Sequence, residues 1–362
     1  MTPQAAEGVE ESVLQRPGKR QRLAAICSAA GMLPGLASLR QVLRKDLRIL
    51  AYHRVLRVDE PAAFGFDLNE VSASPEQFYA QMQLVKRHYN PIRFQDVLAA
   101  RSGGAPLPPR PLIVTFDDGY DDNYYVAFPI LRELDMSAMF FVSTGHIDSG
   151  EPYAYDWLVY MLCRTRARCL SVNELDFHRP IPDTLTGRRA LAKELLFRLK
   201  TLDAVTQAAV IARMGEAWDM HPQKHAQCRP MTWDQLREMR AAGMEVGSHG
   251  VHHHMLAKLS PAAMVAEVHD SMRTLKRELG SPVEVLSYPV GGPDSYNTQV
   301  IDAARQAGFR MACNYVTGVN RLPTAANFEL QRLSVESEMD IDWFAAMTAL
   351  PEVFAHRKRV RL

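Results

Sequence analysis

The chain has 362 residues, with 42 basic and 41 acidic side chains and a formal net charge of +1 at pH 7. This length can bury one large core or two small ones, and the balanced charge argues against a nucleic-acid-binding protein. The five cysteines include no Cys-x-x-Cys pair, which argues against a disulfide framework and favours a reducing compartment. No apolar run reaches the roughly 18 residues of an ordinary membrane-spanning helix.

An N-terminal arm, residues 1–46, combines basic residues with an uncharged, largely apolar segment at 23–39. Basic residues flank this segment on both sides. Three interpretations stay open at this point. The arm is a cleaved secretory signal, a segment that rests on the inner face of a membrane, or a helical segment packed on the rest of the protein.

The first core strand is predicted at 47–52, with His53 at its end. Ser74 and Gln77 form a capping-box pattern that predicts a helix to about Tyr89. A strand near residue 92 and a short helix at 95–100 are expected next.

The apolar, β-branched segment 111–116 predicts a buried strand that ends in two adjacent carboxylates. These are Asp117 and Asp118, and Gly119 then permits a sharp turn. Because parallel α/β folds place their chemistry at the carboxyl ends of strands, both acids are candidate functional groups. The alternative is that Asp-Asp-Gly only forms a turn.

The alternation of strands and helices stops between about 150 and 229, where helical periodicity predicts a helical insertion. Its aromatic residues Tyr153, Tyr155, Trp157 and Trp218 are expected to form a small core of its own. The alternative is that they line a sugar-binding groove.

A second group of candidate residues follows a strand predicted at 244–249. His249 and His253 are four residues apart, so one helical turn would place both imidazoles on the same face. Two imidazoles and one carboxylate are the three-ligand set of a catalytic zinc, which keeps a position for water. His252 or His254 would replace His253 if the local turn differed.

Seven strands are predicted, near residues 48, 92, 112, 137, 244, 283 and 309, with helices between them. This repetition predicts a parallel sheet with helices outside, and a closed or nearly closed barrel fits it. The predicted division is an arm at 1–46, a barrel domain at 47–336 that contains the insertion at 150–229, and a C-terminal tail at 337–362.

The segments 115–119 and 249–253 together resemble the first two motifs of the NodB-type polysaccharide deacetylases, carbohydrate esterase family 4. The resemblance extends from about Ile49 to about Val335. The Tyr52-His53 pair is similar to the opening of the exopolysaccharide, or poly-N-acetylglucosamine, deacetylase subset. The resemblance implies a distorted (β/α)7 barrel, with the insertion between the two metal motifs.

The resemblance also implies the roles of the candidate residues. Asp117 would be the general base, and Asp118, His249 and His253 would hold a divalent metal, with zinc expected and cobalt or nickel as substitutes. His53 would protonate the departing amine. His356, in the C-terminal tail, is the alternative acid.

The stretch 288–291 resembles the third motif of the family, which lines the substrate groove. Tyr288, Pro289 and Asp294 are therefore candidate substrate contacts, and the amide of Val290 is the candidate donor to the oxyanion.

Two features depart from the family pattern. Ser287 stands where an arginine often contacts the catalytic aspartate, and Val290 stands where an aromatic residue is common. The sequence also contains no clear match to the Asp-x-x-x-Trp motif. The partner that orients Asp117 is therefore unassigned.

We expect a metal-dependent hydrolase that removes N-acetyl groups from N-acetylhexosamine units of a bacterial surface polysaccharide or its precursor. An O-acetyl esterase or a small amino-sugar deacetylase is the alternative, because the same attack by water serves esters and amides. A non-catalytic carbohydrate-binding protein on the same barrel is the alternative from another class. The expected location is the cytoplasm, with membrane contact through the arm, and the oligomeric state stays open.

Overall fold

A computed structural model describes residues 18–323 and 327–355. The strands are β1 (Asp46–Tyr52), β2 (Arg54–Val55), β3 (Val71–Ala73), β4 (Asn90–Pro91), β5 (Pro111–Phe116), β6 (Met139–Val142), β7 (Cys169–Val172), β8 (Phe177–Pro180), β9 (Glu245–Ser248), β10 (Val285–Ser287), β11 (Met311–Thr317), β12 (Asn320–Arg321) and β13 (Leu330–Ser334). The α-helices are α1 (Lys19–Ala29), α2 (Met32–Leu43), α3 (Pro75–His88), α4 (Phe94–Arg101), α5 (Phe128–Glu133), α6 (Thr144–Ser149), α7 (Ala154–Arg164), α8 (Leu185–Leu199), α9 (Ala204–Trp218), α10 (Trp233–Ala241), α11 (Pro261–Leu279), α12 (Thr298–Ala307), α13 (Ile341–Ala349) and α14 (Pro351–Phe354).

Seven parallel strands close into a barrel in the order β1, β5, β6, β9, β10, β11, β13 and back to β1. This confirms the predicted seven-stranded barrel, but one member of the predicted set is wrong. The strand expected near residue 92 is β4, a two-residue strand at the edge of β5 and outside the ring. The seventh barrel strand is β13, which the sequence analysis did not identify because the polar residues Gln331 and Arg332 interrupt its apolar pattern.

The inner face of the barrel is filled by alternate residues of its strands, as the two-residue period of a strand requires. These residues form one buried cluster, which includes Leu47, Ile49, Ile113, Met139, Phe141, Val285, Met311, Cys313 and Leu330. Phe94 of α4 joins the cluster, with its ring centroid 6.2 Å from that of Phe141. A Cβ at Gly247 would lie 2.6 Å from the Phe141 ring, so β9 can lie this close to the ring only with glycine at this position. With the interior filled, polar groups collect beyond it, at the carboxyl ends of the strands.

The outer face of the barrel packs against the helices, and α3 begins at the cap that the sequence predicts. Ser74 and Gln77 form the capping box of α3, whose Phe78, Met82 and Val85 are buried in the main core. Capping satisfies amide groups that the first turn of a helix leaves unpaired.

The segment between β6 and β9 forms a unit with its own core. Helices α7, α8 and α9 bury Trp157, Leu162, Leu195 and Val210 together. The unit is mainly helical, as predicted, but it also contains the antiparallel pair β7–β8. Only alternate residues of β7 are buried. The hairpin therefore contains too few apolar residues to be predicted as strands from the sequence.

The predicted C-terminal tail is part of the fold as far as residue 355. Helix α13 buries Trp343, Phe344 and Met347 in the main core. Helices α1 and α2 pack on this helix.

Among the described residues, no single helix is both long enough and apolar enough to cross a membrane. Helices α1 and α2 meet such a criterion only as a pair bent by 97°.

Candidate active site

Three side chains from distant parts of the sequence meet at the carboxyl end of the barrel. Asp118 Oδ1 lies 3.4 Å from His249 Nε2 and 3.3 Å from His253 Nε2. Candidate ligand atoms of the three residues all lie within 4.8 Å of one another. The structure thus brings together the three residues that the sequence proposed as metal ligands.

The backbone reaches this arrangement through the left-handed region, not through the helical turn that the sequence predicted. His249 follows β9, and residues 249–254 form an irregular loop in which His253 has a φ of 60°. Asp118 has a φ of 73°, which turns its side chain towards the same point. Non-glycine residues seldom adopt such angles, and the strain they carry is typical of functional sites.

The three residues have the chemistry that a divalent metal requires. Asp118 Oδ1 is buried and has no hydrogen-bond partner among the described residues. Burial would raise the pKa of Asp118, but the two histidines hold it well below its ordinary value, so the carboxylate is anionic. His249 Nδ1 lies 2.8 Å from the carbonyl oxygen of Ser287. When Nδ1–H donates to this oxygen, the Nε2 lone pair is left for a metal.

The insertion contributes two tyrosines that hold Asp118. The Tyr153 hydroxyl donates to the Asp118 carbonyl oxygen at 2.7 Å, and the Tyr155 hydroxyl donates to Oδ2 at 3.1 Å. Burial, together with the Asp118 charge, raises the pKa of Tyr155 well above its ordinary value, so its hydroxyl stays a donor. Of the insertion aromatics, these two therefore reach the site, whereas Trp157 lies in the core of the insertion.

Asp117 is held by an arginine that the sequence analysis did not identify. Arg332 Nη1 and Nη2 lie 2.8 and 2.7 Å from the two carboxylate oxygens of Asp117, and both side chains are buried. Arg332 Nη2 also donates to Ser287 Oγ at 3.0 Å. Burial alone would raise the pKa of Asp117, but Arg332 more than offsets this, and the pKa lies below its ordinary value.

His53 lies beside the same centre. One ring nitrogen of His53, a carboxylate oxygen of Glu70 and one of Asp118 lie within 4.8 Å of one another. His53 Nε2 is 3.8 Å from Glu70 Oε2. The imidazole therefore faces a carboxylate that the sequence analysis did not single out. The alternative acid, His356, lies outside the described residues.

The two neighbouring histidines, His252 and His254, point to a different carboxylate. Their Nδ1 atoms lie 2.5 and 3.4 Å from Glu267 Oε1. Glu267 Oε2 accepts hydrogen bonds from the amides of Val251 and His252 at 2.8 and 3.0 Å. This glutamate of α11 thus fixes the loop that carries His253.

The stretch that resembles the third motif follows β10. Tyr288 is fully buried, and its hydroxyl donates to the Phe328 carbonyl oxygen, so the expectation that its side chain lines the groove is wrong. Val290 has a φ of 63°, and its amide has no acceptor among the described residues. Pro289 is buried, and Asp294 is exposed in the following turn.

The sequence profile described as polysaccharide deacetylase matches residues 104–164 and 183–312, more than half of the chain. The protein YxkH of Bacillus subtilis (strain 168) is 23% identical over 243 residues, which are 65% of this chain and 55% of that protein. The poly-β-1,6-N-acetyl-D-glucosamine N-deacetylase of Escherichia coli (strain K12) is 36% identical over 90 residues, which are 25% of this chain and 13% of that protein.

The chain thus spans 55% or less of the length of either of these two relatives. Among solved structures, the Streptococcus pyogenes deacetylase PplD in complex with acetate is 20% identical, with a TM-score of 0.55. The match covers 86% of this chain and 100% of that chain, and it shows that the two share a fold.

Proposed function

On the premise that this chain belongs to the polysaccharide deacetylase family, we propose that it is a metal-dependent N-deacetylase of N-acetylhexosamine units in a bacterial surface polysaccharide or its precursor. The observation that carries this proposal is the convergence of Asp118, His249 and His253 beside the ion-paired carboxylate of Asp117. Two imidazoles and a carboxylate suit zinc, and cobalt and nickel accept the same donors.

Each residue then has a defined task. Asp118, His249 and His253 would hold the metal, which when bound would supply the Lewis acidity that activates water and the acyl group. Asp117 accepts a proton from the attacking water, and Arg332 keeps this carboxylate ionised and oriented. As the carbon–oxygen bond forms, the Val290 amide donates to the oxyanion.

His53 acts at the leaving group. When the carbon–nitrogen bond breaks, its imidazolium donates a proton to the amine nitrogen, and acetate and the free amino sugar are released. Glu70 Oε2 lies 3.8 Å from His53 Nε2 and so faces the same imidazole. The role of His53 requires a place beside the proposed metal ligands, and one of its ring nitrogens lies within 4.8 Å of a carboxylate oxygen of Asp118.

The choice of an amide substrate is supported by the segment that is 36% identical to a poly-β-1,6-N-acetyl-D-glucosamine N-deacetylase. The site alone does not discriminate, because ester and amide hydrolysis use the same attack by water. A substrate panel is therefore the decisive experiment.

The full chain is stripped with a chelator and reloaded with Zn²⁺, Co²⁺ or Ni²⁺. Acetate release is then measured on β-1,6-linked N-acetylglucosamine oligomers, on the N-acetylglucosamine monosaccharide and on O-acetylated xylan. We expect metal-dependent release from the oligomers, and the Asp117→Asn variant serves as the matched inactive control. Preference for xylan would instead support an esterase, and preference for the monosaccharide a metabolite deacetylase. Oligosaccharide binding without turnover by any metal form would overturn the enzymatic proposal.

A further inference from the structure

The N-terminal helical hairpin, residues 18–45, presents large apolar side chains to solvent. Their exposed fractions are 45% for Leu23, 62% for Ile26, 44% for Met32, 36% for Leu36, 60% for Leu39, 84% for Val42 and 74% for Leu43. More than half of the large exposed apolar side chains of the described residues lie in this short segment. A concentration of this kind marks an interaction surface, whereas single exposed apolar residues are ordinary.

The hairpin packs on the rest of the protein through three buried apolar side chains, Ala24, Cys27 and Leu33, and through polar groups around them. Ser28 Oγ donates to Asp342 at 2.6 Å, and Arg40 Nη2 lies 2.7 Å from Glu352 on α14. Arg20 donates to the carbonyl oxygen of Ala355. A surface helix of a globular domain normally turns its apolar stripe inwards and its charges outwards. Here much of the apolar surface faces outwards, so packing within the chain does not account for it.

The charge of the hairpin has one sign. Residues 18–45 contain six basic side chains and no aspartate or glutamate. Lys19, Arg22 and Lys45 are exposed and lie beside the apolar surface along the chain. Such a surface is complementary to an apolar layer bordered by anionic groups, which is the chemistry of an anionic lipid bilayer.

We propose that the hairpin is a docking surface for an anionic membrane. Its apolar side chains enter the boundary between headgroups and acyl chains, and its cations contact the phosphates. Interfacial docking is favoured over spanning because α1 and α2 are short and meet at 97°. The proposal does not rest on the proposed catalytic function, and it gives the N-terminal arm a role that folding alone does not require.

Vesicle flotation of the full chain tests this proposal. Wild-type protein is mixed with phosphatidylcholine vesicles, with or without phosphatidylglycerol, at low and high salt. We expect wild-type protein to float with the anionic vesicles. The fraction of the double variant Leu39→Glu/Val42→Glu that floats should be at least tenfold lower. The variant Lys19→Glu/Arg22→Glu should lose the preference for phosphatidylglycerol, and high salt should have the same effect on wild type.

The matched control is Phe197→Glu/Val205→Glu, which changes two residues of the insertion that are 61% and 78% exposed. This control should float like wild type. Thermal unfolding and activity on a soluble substrate should be unchanged in all three variants, because none touches the site. The proposal is overturned if wild type does not float, or if Leu39→Glu/Val42→Glu floats equally well. It is also overturned if wild type is a dimer that this variant dissociates, without vesicle binding by either.

Discussion

Arg332, on the last strand of the barrel, forms a bidentate ion pair with Asp117 at the end of β5. The two nitrogen–oxygen distances are 2.8 and 2.7 Å. The family that this sequence resembles often places an arginine at the position of Ser287 for this contact. In this protein the guanidinium comes from β13 instead and also bonds to Ser287 Oγ. The two parallel N–H groups of a guanidinium match the two oxygens of a carboxylate. This pairing keeps the Asp117 carboxylate ionised and fixes its orientation.

Replacing Arg332 with glutamine should lower kcat/KM by about 10²-fold or more and move the acid limb of its pH profile upwards. Without the guanidinium, burial dominates and raises the pKa of Asp117. A carboxylate base is active when ionised, so activity is lost as the pH falls through its pKa. A higher pKa therefore causes the loss at a higher pH.

The measurement is the pH dependence of kcat/KM on metal-loaded samples, with metal content determined for each. Ser287→Ala is the control, because it removes one hydrogen bond and keeps the ion pair. An Arg332→Lys variant, which keeps the charge, covers the case in which the glutamine variant does not fold. An acid limb that stays in place for both Arg332 variants would refute the assigned role.

The histidine loop offers a test of the ligand set within three consecutive residues. His253→Ala should lower metal affinity by at least about 10²-fold and abolish activity at low metal concentration, since it removes one of the three proposed ligands. His252→Ala and His254→Ala should retain bound metal, because both side chains face Glu267 instead of Asp118. Metal content by mass spectrometry and titration of the apo protein provide the measurement. Loss of metal from His252→Ala with a normal His253→Ala variant would reverse the assignment.

The sequence predicted groups that sit directly at strand ends and missed groups that arrive by tertiary packing. Asp118 and His249 follow short apolar strands, and the closed barrel brings such strand ends together. Arg332 carries no such signal, because its importance depends on β13 joining β1 and β11 to close the ring. The alternation of polar and apolar residues at 332–335 was the available clue.

Glu70 was missed for the same reason, since it lies in a short 3₁₀ turn that has no pattern of its own. Tyr155 was noted only as an aromatic residue of the insertion, and its contact with Asp118 was not foreseen. The spacing of His249 and His253 singled out the two imidazoles that converge on Asp118, but the reason given, a shared helical face, was wrong. The convergence comes from a left-handed residue in a loop, and no spacing rule encodes that conformation.

Glu267 should control metal affinity without touching the metal. Its carboxylate accepts two amide hydrogen bonds from the loop that carries His253, where the backbone is held at a φ of 60°. Glu267→Gln weakens this anchor, and we expect metal affinity to fall by about 10- to 100-fold. Saturating metal should restore most of kcat.

Competition with a chromogenic chelator measures the affinity of each variant. Glu284→Gln is the matched control, because it breaks an ion pair with Arg310 at the surface, away from the loop. Unchanged affinity in Glu267→Gln, or a loss of kcat that saturating metal does not restore, would show that this carboxylate does not position the ligand.

His53 should be needed only when the leaving group requires a proton. His53→Gln is expected to lower kcat for N-deacetylation by about 10²- to 10⁴-fold, the usual contribution of a general acid, while metal content stays the same. Glu70→Gln should lower it less, because the imidazole remains and only its neighbouring charge is lost. His356→Ala, which removes the alternative acid, should retain activity. Hydrolysis of p-nitrophenyl acetate provides the discriminating readout, because p-nitrophenolate leaves without protonation. An equal loss on the amide and on this ester would mean that His53 does not act as the acid.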